Sequence, residues 1–368
     1  MKTKTVLSLV IRTVVLWVVV ASAHAQEKAF ESCVTGQCHA TLGKAKFVHG
    51  PVAVAACAPC HELLPNEKHK FKPIQSAETL CIKCHEPMQK KAVVHAPVAK
   101  GQCTLCHDAH QSNYQYQLKK GPGAELCFSC HDRAMMKKKY THVPAAEGEC
   151  DACHRPHSAD KPKLLVESGN ELCFECHSDV KDDLASAKRI HKPVSEGCVQ
   201  CHSPHSNDGP FMLNKEVPEQ CLNCHKDMRE HLSKALVKHK ALETDKKCVN
   251  CHSPHGAQFV MQLVDEPMKL CLNCHDRSIQ TQTSGTLADM KDLFDKNKDW
   301  HGPIRAKDCS GCHDVHGSVN FRILRQSYPQ EFYTSFSQDQ YELCFACHQP
   351  TLVQEPSTTT LTGFRDGD

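Results

Sequence analysis

Aromatic side chains make up only 6% of this chain of 368 residues, and two of them are tryptophan. Charge of one sign is also missing, since 44 Lys and Arg stand against 42 Asp and Glu. A chain this poor in large rings is poorly equipped to fill a core with its own side chains, and one this evenly charged offers nucleic acid no basic face. The lysine clusters Lys137-Lys138-Lys139, Lys119-Lys120 and Lys68 to Lys72 read as solvated faces or as partners for acidic groups. Long apolar runs are absent except at the amino end. There, Lys2 and Lys4 precede an apolar stretch from Val6 to Val20, and Ala23-His24-Ala25 follows. This is the pattern of an export signal over residues 1–25, cut before Gln26. Arg12 splits the apolar stretch and weakens it as a retained spanning helix. The first cysteine is Cys33, so no lipid-bearing cysteine stands at the cut. The expectation is an exported chain with no membrane segment of its own after cleavage.

Cysteine and histidine are abundant, at 26 and 27 residues. Twelve cysteine pairs have the form Cys-x-x-Cys-His. They are Cys57, Cys60, His61; Cys81, Cys84, His85; Cys103, Cys106, His107; Cys127, Cys130, His131; Cys150, Cys153, His154; and Cys173, Cys176, His177. The series continues with Cys198, Cys201, His202; Cys221, Cys224, His225; Cys248, Cys251, His252; Cys271, Cys274, His275; Cys309, Cys312, His313; and Cys344, Cys347, His348. A thirteenth, Cys33, Cys38 and His39, has four residues between its cysteines. Two thioethers on one porphyrin edge and an imidazole on the iron require three residues on a single tight turn, so the pattern reads as covalent haem c attachment. Zinc sites join two half-sites into a tetrahedron and do not demand a histidine at the next position every time. A thioredoxin-like pair occurs once, beside a βαβ pattern that this sequence does not show. For the Cys33 pair the competing reading is a disulfide or a bare cysteine pair. Thirteen haems, and at least twelve, are expected. Their propionates would make the loaded protein distinctly acidic.

Without residues 1–25, the 368-residue chain leaves 343 residues, about 26 for each haem. The haems themselves must then supply the core, and the chain without them should hold little stable structure. The expected fold is irregular and haem-cored, mostly coil with short α-helices and little or no β, in an elongated row of haems.

The motifs fall into a tandem repeat that carries two haems each time. Each repeat opens with a histidine seven to nine residues before its first motif: His49, His95, His142, His191, His239 and His301. All but His239 continue as His-x-Pro. Five repeats place another histidine three residues beyond the first haem histidine: His110, His157, His205, His255 and His316. The first repeat instead has His69, eight residues beyond His61. A leucine-bearing stretch such as Leu164-Leu165 follows, then a second motif in a context like Glu171-Leu172-Cys173-Phe174, then helical segments such as Asp179 to Arg189 and Lys226 to Lys238. The organisation is an export signal (1–25), a front haem segment (26–45), six two-haem repeats (46–348) and a mobile tail (349–368).

With His24 lost in the signal, thirteen motif histidines face thirteen others, enough to give nearly every iron two imidazoles. Twelve occupy the recurrent places as candidate distal ligands, and His231 stands outside them. A histidine three residues after a motif is too close in sequence to pass around its own haem, so it should reach a neighbouring one. Methionines are few and lie off these places.

His-x-Pro, Cys-x-x-Cys-His-x-x-His, a leucine pair and Glu-Leu-Cys-x-x-Cys-His together resemble the doubled Cys-x-x-Cys-His family of multihaem cytochromes, over about residues 30 to 348. The likeness is greatest to the periplasmic decahaem subunits seated in outer-membrane porins. The resemblance implies covalent haem on the cysteines above, proximal ligation by the motif histidines and an extended row of closely spaced rings. It implies an electron-transfer wire rather than an enzyme, without catalytic residues and located in the periplasm, at the outer membrane or outside the cell. Its partners would be other redox proteins: periplasmic or inner-membrane cytochromes, an outer-membrane porin and an outer cytochrome. The alternatives are a reductase of nitrite, hydroxylamine, a sulfur oxyanion or a metal ion, and a subunit of an extracellular cytochrome filament. A reductase needs an open iron, and no motif here replaces its histidine by lysine. The last repeat is stretched, with an amphipathic helix expected at Leu287 to Lys296 and aromatic residues Tyr328, Phe332, Tyr333, Phe336 and Tyr341 that would pack on haem or form a docking surface.

Overall fold

The computed structural model describes residues 33–354, apart from 36, 66, 68, 282–284 and 332, together with 357. The expected export signal and most of the tail lie outside these residues. The start of the tail forms a helical turn, Thr351–Gln354, where the sequence offers no apolar period. The chain divides into two bodies. The smaller comprises Met1–Ile74 with Asp108–Gln117, the larger Gln75–His107 with Leu118–Asp368.

Regular structure comes in short pieces. The two longest helices, Ser178–Ser186 and Lys226–Lys234, have nine residues each. They stop short of the limits expected from sequence because the residues that follow are drawn out into strands, Arg189–Ile190 and Val237–Lys238. In the stretched region the helix is Met290–Lys296, started by the Asp289 side chain accepting the Asp292 amide at 2.9 Å. Leu287, expected to be helical, lies in a strand, Thr286–Leu287, paired antiparallel with Ile279–Gln280.

Each of the twelve regular motifs is one helical turn, in which the histidine amide donates to the carbonyl of the first cysteine at 2.9–3.1 Å. The Cys33 site is built differently: Thr35 donates to the Cys38 carbonyl at 2.8 Å, and His39 has a left-handed φ of 48°. At the openings, the histidine is the extended residue ahead of a short helix whose second position is proline, as in Ala96–Ala99 and Val143–Glu147. Proline fits there because the first helical turn needs no amide donor from it and its φ is already helical. His239, which lacks the proline, opens a 3₁₀ turn instead, Lys240–Glu243.

Five antiparallel ribbons link repeats, each joining the two residues before an opening histidine to two residues in the next repeat. In the smaller body Phe47–Val48 pairs with Gln111–Ser112. In the larger, Val93–Val94 pairs with Ser158–Ala159, Tyr140–Thr141 with Ser206–Asn207, Arg189–Ile190 with Gly256–Ala257, and Val237–Lys238 with Gly317–Ser318. The second member of each pair follows directly after His110, His157, His205, His255 or His316. These short ribbons carry one repeat's histidine to another repeat's motif.

Buried apolar residues among those described are few: Ala159, Leu184, Leu222, Ala257, Met268 and Leu324. Large apolar side chains are instead exposed, Phe211, Met261 and Leu236 among them, so the described polypeptide leaves open surface that a conventional fold would bury.

Gly317 tests the role of the ribbons. Its φ is 135°, and a Cβ there would lie 2.7 Å from the Val237 carbonyl oxygen. Gly317→Val should cost about 1–3 kcal/mol by forcing the ribbon apart. It should also pull the adjacent His316 from its place, seen as one low-spin haem turning high-spin in the absorption and paramagnetic resonance spectra.

Candidate haem centres

Ten histidine pairs face one another with ring centres 5.9–6.1 Å apart and ring planes 13–37° from parallel. They fall into two classes. In the first, the opening histidine of a repeat faces the second-motif histidine of the same repeat: His95 with His131, His142 with His177, His191 with His225, His239 with His275, and His301 with His348. In the second, the first-motif histidine faces the trailing histidine of the following repeat: His61 with His110, His107 with His157, His154 with His205, His202 with His255, and His252 with His316.

So uniform a spacing has a physical origin. Two metal–nitrogen bonds of about 2.0–2.1 Å and about 1 Å from each nitrogen to its ring centre together place the centres ~6 Å apart. Among the described residues no group of three or more His, Cys, Asp or Glu converges on a point. Each pair would hold an iron between two imidazoles, and the cysteines of the motif would hold the porphyrin around it. The residues present fit haem.

Backbone carbonyls fix which nitrogen of each imidazole is free. His49, His95, His142, His191 and His239 direct Nδ1 at the carbonyl oxygens of Ala109, Pro156, Pro204, Pro254 and Val315, at 2.9–3.1 Å. A carbonyl only accepts, so Nδ1 carries the hydrogen and Nε2 keeps the lone pair that a metal needs. The first-motif histidines His154, His202, His252 and His313 do the same toward Lys163, Phe211, Met261 and Arg322, at 2.8–3.1 Å. Those four acceptors have left-handed φ of 52–57°. Each is followed by a second left-handed residue: Leu164, Met212, Gln262 and Ile323. Non-glycine residues in this region cost about 1–2 kcal/mol each. The returning strand stabilises the turn, since the residue after each histidine donates back at 2.7–2.8 Å, as Arg155 does to Leu164 and Ser203 to Met212. The leucine-bearing stretch thus carries the acceptor under the proximal ring.

Burial pushes the pKa values of His157, His205, His239, His255, His275 and His316 below the ordinary histidine value, and the charge of neighbouring histidines adds to the effect. The neutral, ligating form is favoured.

The cysteines follow a second order. The first cysteines of successive motifs in adjacent repeats lie close enough to shift one another's titration: Cys127 with Cys150, Cys173 with Cys198, Cys221 with Cys248, and Cys271 with Cys309. Within repeats, Cys106 lies close enough to Cys130 to feel its charge, as Cys153 does with Cys176, Cys221 with Cys201, Cys251 with Cys274, and Cys312 with Cys347. In the larger body the motifs from Cys103 to His348 therefore form an unbroken series in sequence order. In the smaller body Cys57 lies close enough to Cys33 to feel its charge.

Not every candidate histidine is matched. Among the described residues His39, His69 and His313 face no second imidazole at this spacing. His231 is engaged elsewhere: its Nε2 contacts the Gly317 carbonyl at 2.8 Å and the Asp314 carboxylate at 3.4 Å. Of the aromatics singled out in the stretched repeat, Tyr328 and Phe336 both pack on Tyr341, and Phe336 also meets Phe345 edge-on. Tyr333 is exposed, and Phe332 lies outside the described residues.

Motifs, paired imidazoles and a chain without a core of its own define a multihaem c-type cytochrome, with covalently bound haem consistent with about thirteen groups. The chain belongs to the doubled CXXCH motif family, which matches residues 95–136, 142–182, 191–230, 239–280 and 301–352. Every matched segment begins at an opening histidine. The first repeat, with its displaced His69, is not among them. No curated protein matches the chain.

Two outcomes are expected. His205→Ala should leave the haem count unchanged by intact mass while converting one haem from low-spin to high-spin. The depressed histidine pKa values set the sign of the pH effect. Their stabilising contribution is complete above the unfolded value of about 6.5 and is lost as acid protonates the rings. An acid titration followed in the haem absorption bands should therefore show pairs opening below that pH, and none opening through this cause on the alkaline side.

Proposed function

We propose that the protein is an electron-transfer wire that acts outside the cytoplasm. The unbroken succession of neighbouring cysteine motifs carries this reading. Each cysteine would hold a porphyrin edge through its thioether, so neighbours such as Cys173 with Cys198 and Cys271 with Cys309 set successive ring edges against each other. When bound, haem supplies an iron that takes up and releases one electron. The motif histidines and their partners hold that iron on both faces, the carbonyl acceptors fix the ring tautomers, and the ribbons set the separation of successive sites. Two histidines per iron favour lower potentials than a histidine and a methionine would.

The cysteine pairs from Cys33 and Cys38 to Cys344 and Cys347 are assigned to haem attachment, the thirteen motif histidines to proximal ligation, and the opening and trailing histidines to distal ligation. Export after cleavage of residues 1–25 places the chain where c-type haem is attached. The arrangement suits a carrier between redox proteins, including a role within an outer-membrane porin, better than it suits a reductase, because ten irons would have both axial positions filled by the chain. No helix among the described residues is long and apolar enough to cross a membrane.

An intact mass of the exported protein should show thirteen haem additions, and a value one short should trace to Cys33 and Cys38. Breaking the series in the middle tests transport itself. Cys198→Ala with Cys201→Ala should lower the haem count by one and slow electron passage between donor and acceptor by about tenfold or more, equivalent to ~1.4 kcal/mol or more in barrier. Unchanged passage in rapid-mixing measurements would count against the wire.

A further inference from the structure

We propose, on the strength of the haem reading above, that the ammonium of Lys163 raises the reduction potential of the haem held by His154 and His205 and makes that site a preferred stop for the electron. In the larger body the strained turn does the same work at Lys163, Phe211, Met261 and Arg322: its first left-handed residue offers a carbonyl to the Nδ1 of a first-motif histidine. The conformation is constant and the side chain is not. All four side chains are exposed, so packing does not dictate them. A position whose backbone task is met by lysine, phenylalanine, methionine and arginine alike can carry a second property on its side chain.

At His154 that property is charge. The turn is fixed on both sides, since Arg155 donates to the Leu164 carbonyl at 2.7 Å and Val166 to the Cys153 carbonyl at 2.9 Å. The Lys163 carbonyl accepts from His154 Nδ1 at 2.9 Å, and the His154 ring faces that of His205 with centres 6.1 Å apart. The lowered pKa of His205 comes first from burial and then from the charges of His154, His142 and Lys163. Lys163 thus holds one imidazole of the pair with its backbone and acts on the other through its side chain. Lys161, two positions earlier, is offset by Glu167 at 2.9 Å. The corresponding imidazoles His255 and His316 belong to pairs whose turns bear the uncharged Phe211 and Met261. Besides burial, His255 feels His202 and His191, and His316 feels His252, Asp314, His231 and His239.

The direction follows from Coulomb's law. Oxidised iron carries one more positive charge than reduced iron, so a fixed cation beside it disfavours oxidation and raises the potential. An exposed ammonium is screened by salt over about 10 Å at 0.1 M, so the effect is largest at low ionic strength.

The other turns supply the controls. Methionine takes this conformation at Met261, with φ 54°, and arginine takes it at Arg322, with φ 52°. In potentiometric titrations of the haem absorption bands, Lys163→Met should move one haem's share of the change to lower potential, less so at high salt. It should keep the wild-type haem count by intact mass and the wild-type low-spin resonance spectrum. Lys163→Arg should keep the wild-type curve, and Met261→Lys should move one haem's share to higher potential. A Lys163→Met curve that superimposes on the wild type overturns the proposal. An equal displacement by Lys163→Arg also overturns it, by assigning the effect to the turn rather than to the charge. Should Lys163→Met lose haem, Met261→Lys decides alone, and a curve that does not rise overturns the proposal. Failure of the haem reading is distinct, since it would show as missing haem additions on the wild-type chain, and failure of the wire would show in electron passage while these titrations still shifted.

Discussion

The fold depends on opposed imidazoles held about 6 Å apart by short pieces of backbone that have little stability of their own. Two-residue ribbons and four-residue helices are far below the length at which either persists alone in water. They persist here as parts of a larger unit in which two imidazoles from distant stretches of chain face each other, placed to close on one metal. A ribbon brings His157 opposite His107, and the pair in turn fixes the ribbon. Because the trailing histidine always belongs to the following repeat, each first site in this class is shared between two repeats. Folding and haem attachment are therefore coupled along the chain, as metal binding and folding are coupled in small metal domains.

The local strain has the same origin. A pair of left-handed, non-glycine residues nine positions beyond the first haem histidine is an unfavourable turn, and it recurs at Lys163, Phe211, Met261 and Arg322. Glycine would relax each turn, and none of these positions has it. What the turn provides is a carbonyl aimed at Nδ1, which leaves Nε2 for the metal and holds the ring at one angle. Strain at a recurring functional position is maintained by the surrounding hydrogen bonds, and here those bonds run from the residue after the histidine back to the second strained residue.

Much of the site could be read in the sequence because covalent haem attachment imposes residue identity at fixed spacing. The assignment of distal partners could not. His-x-x-His excludes a histidine from its own haem by sterics, but the choice of neighbour depends on the ribbons, whose members share no pattern: Val93–Val94 in one place, Arg189–Ile190 in another. The strained turn was hidden for a similar reason, since Lys163-Leu164 and Met261-Gln262 have no chemistry in common. Their constant distance from the haem histidine was the available signal. Helix ends were overextended at Arg189 and Lys238 because apolar spacing does not register the strand pairing that ends a helix. At Leu287 the overlooked signal was Asp289, a good cap three residues before Asp292.

The pairing rule sorts the sites into two classes. The first site of a repeat takes its second imidazole from the repeat that follows, as His252 does from His316. The second site is different, because the opening histidine comes from the same repeat, and His301 meets His348 at 6.0 Å as its counterparts do. The array is therefore polar: one class of site is complete within each repeat, the other only by succession.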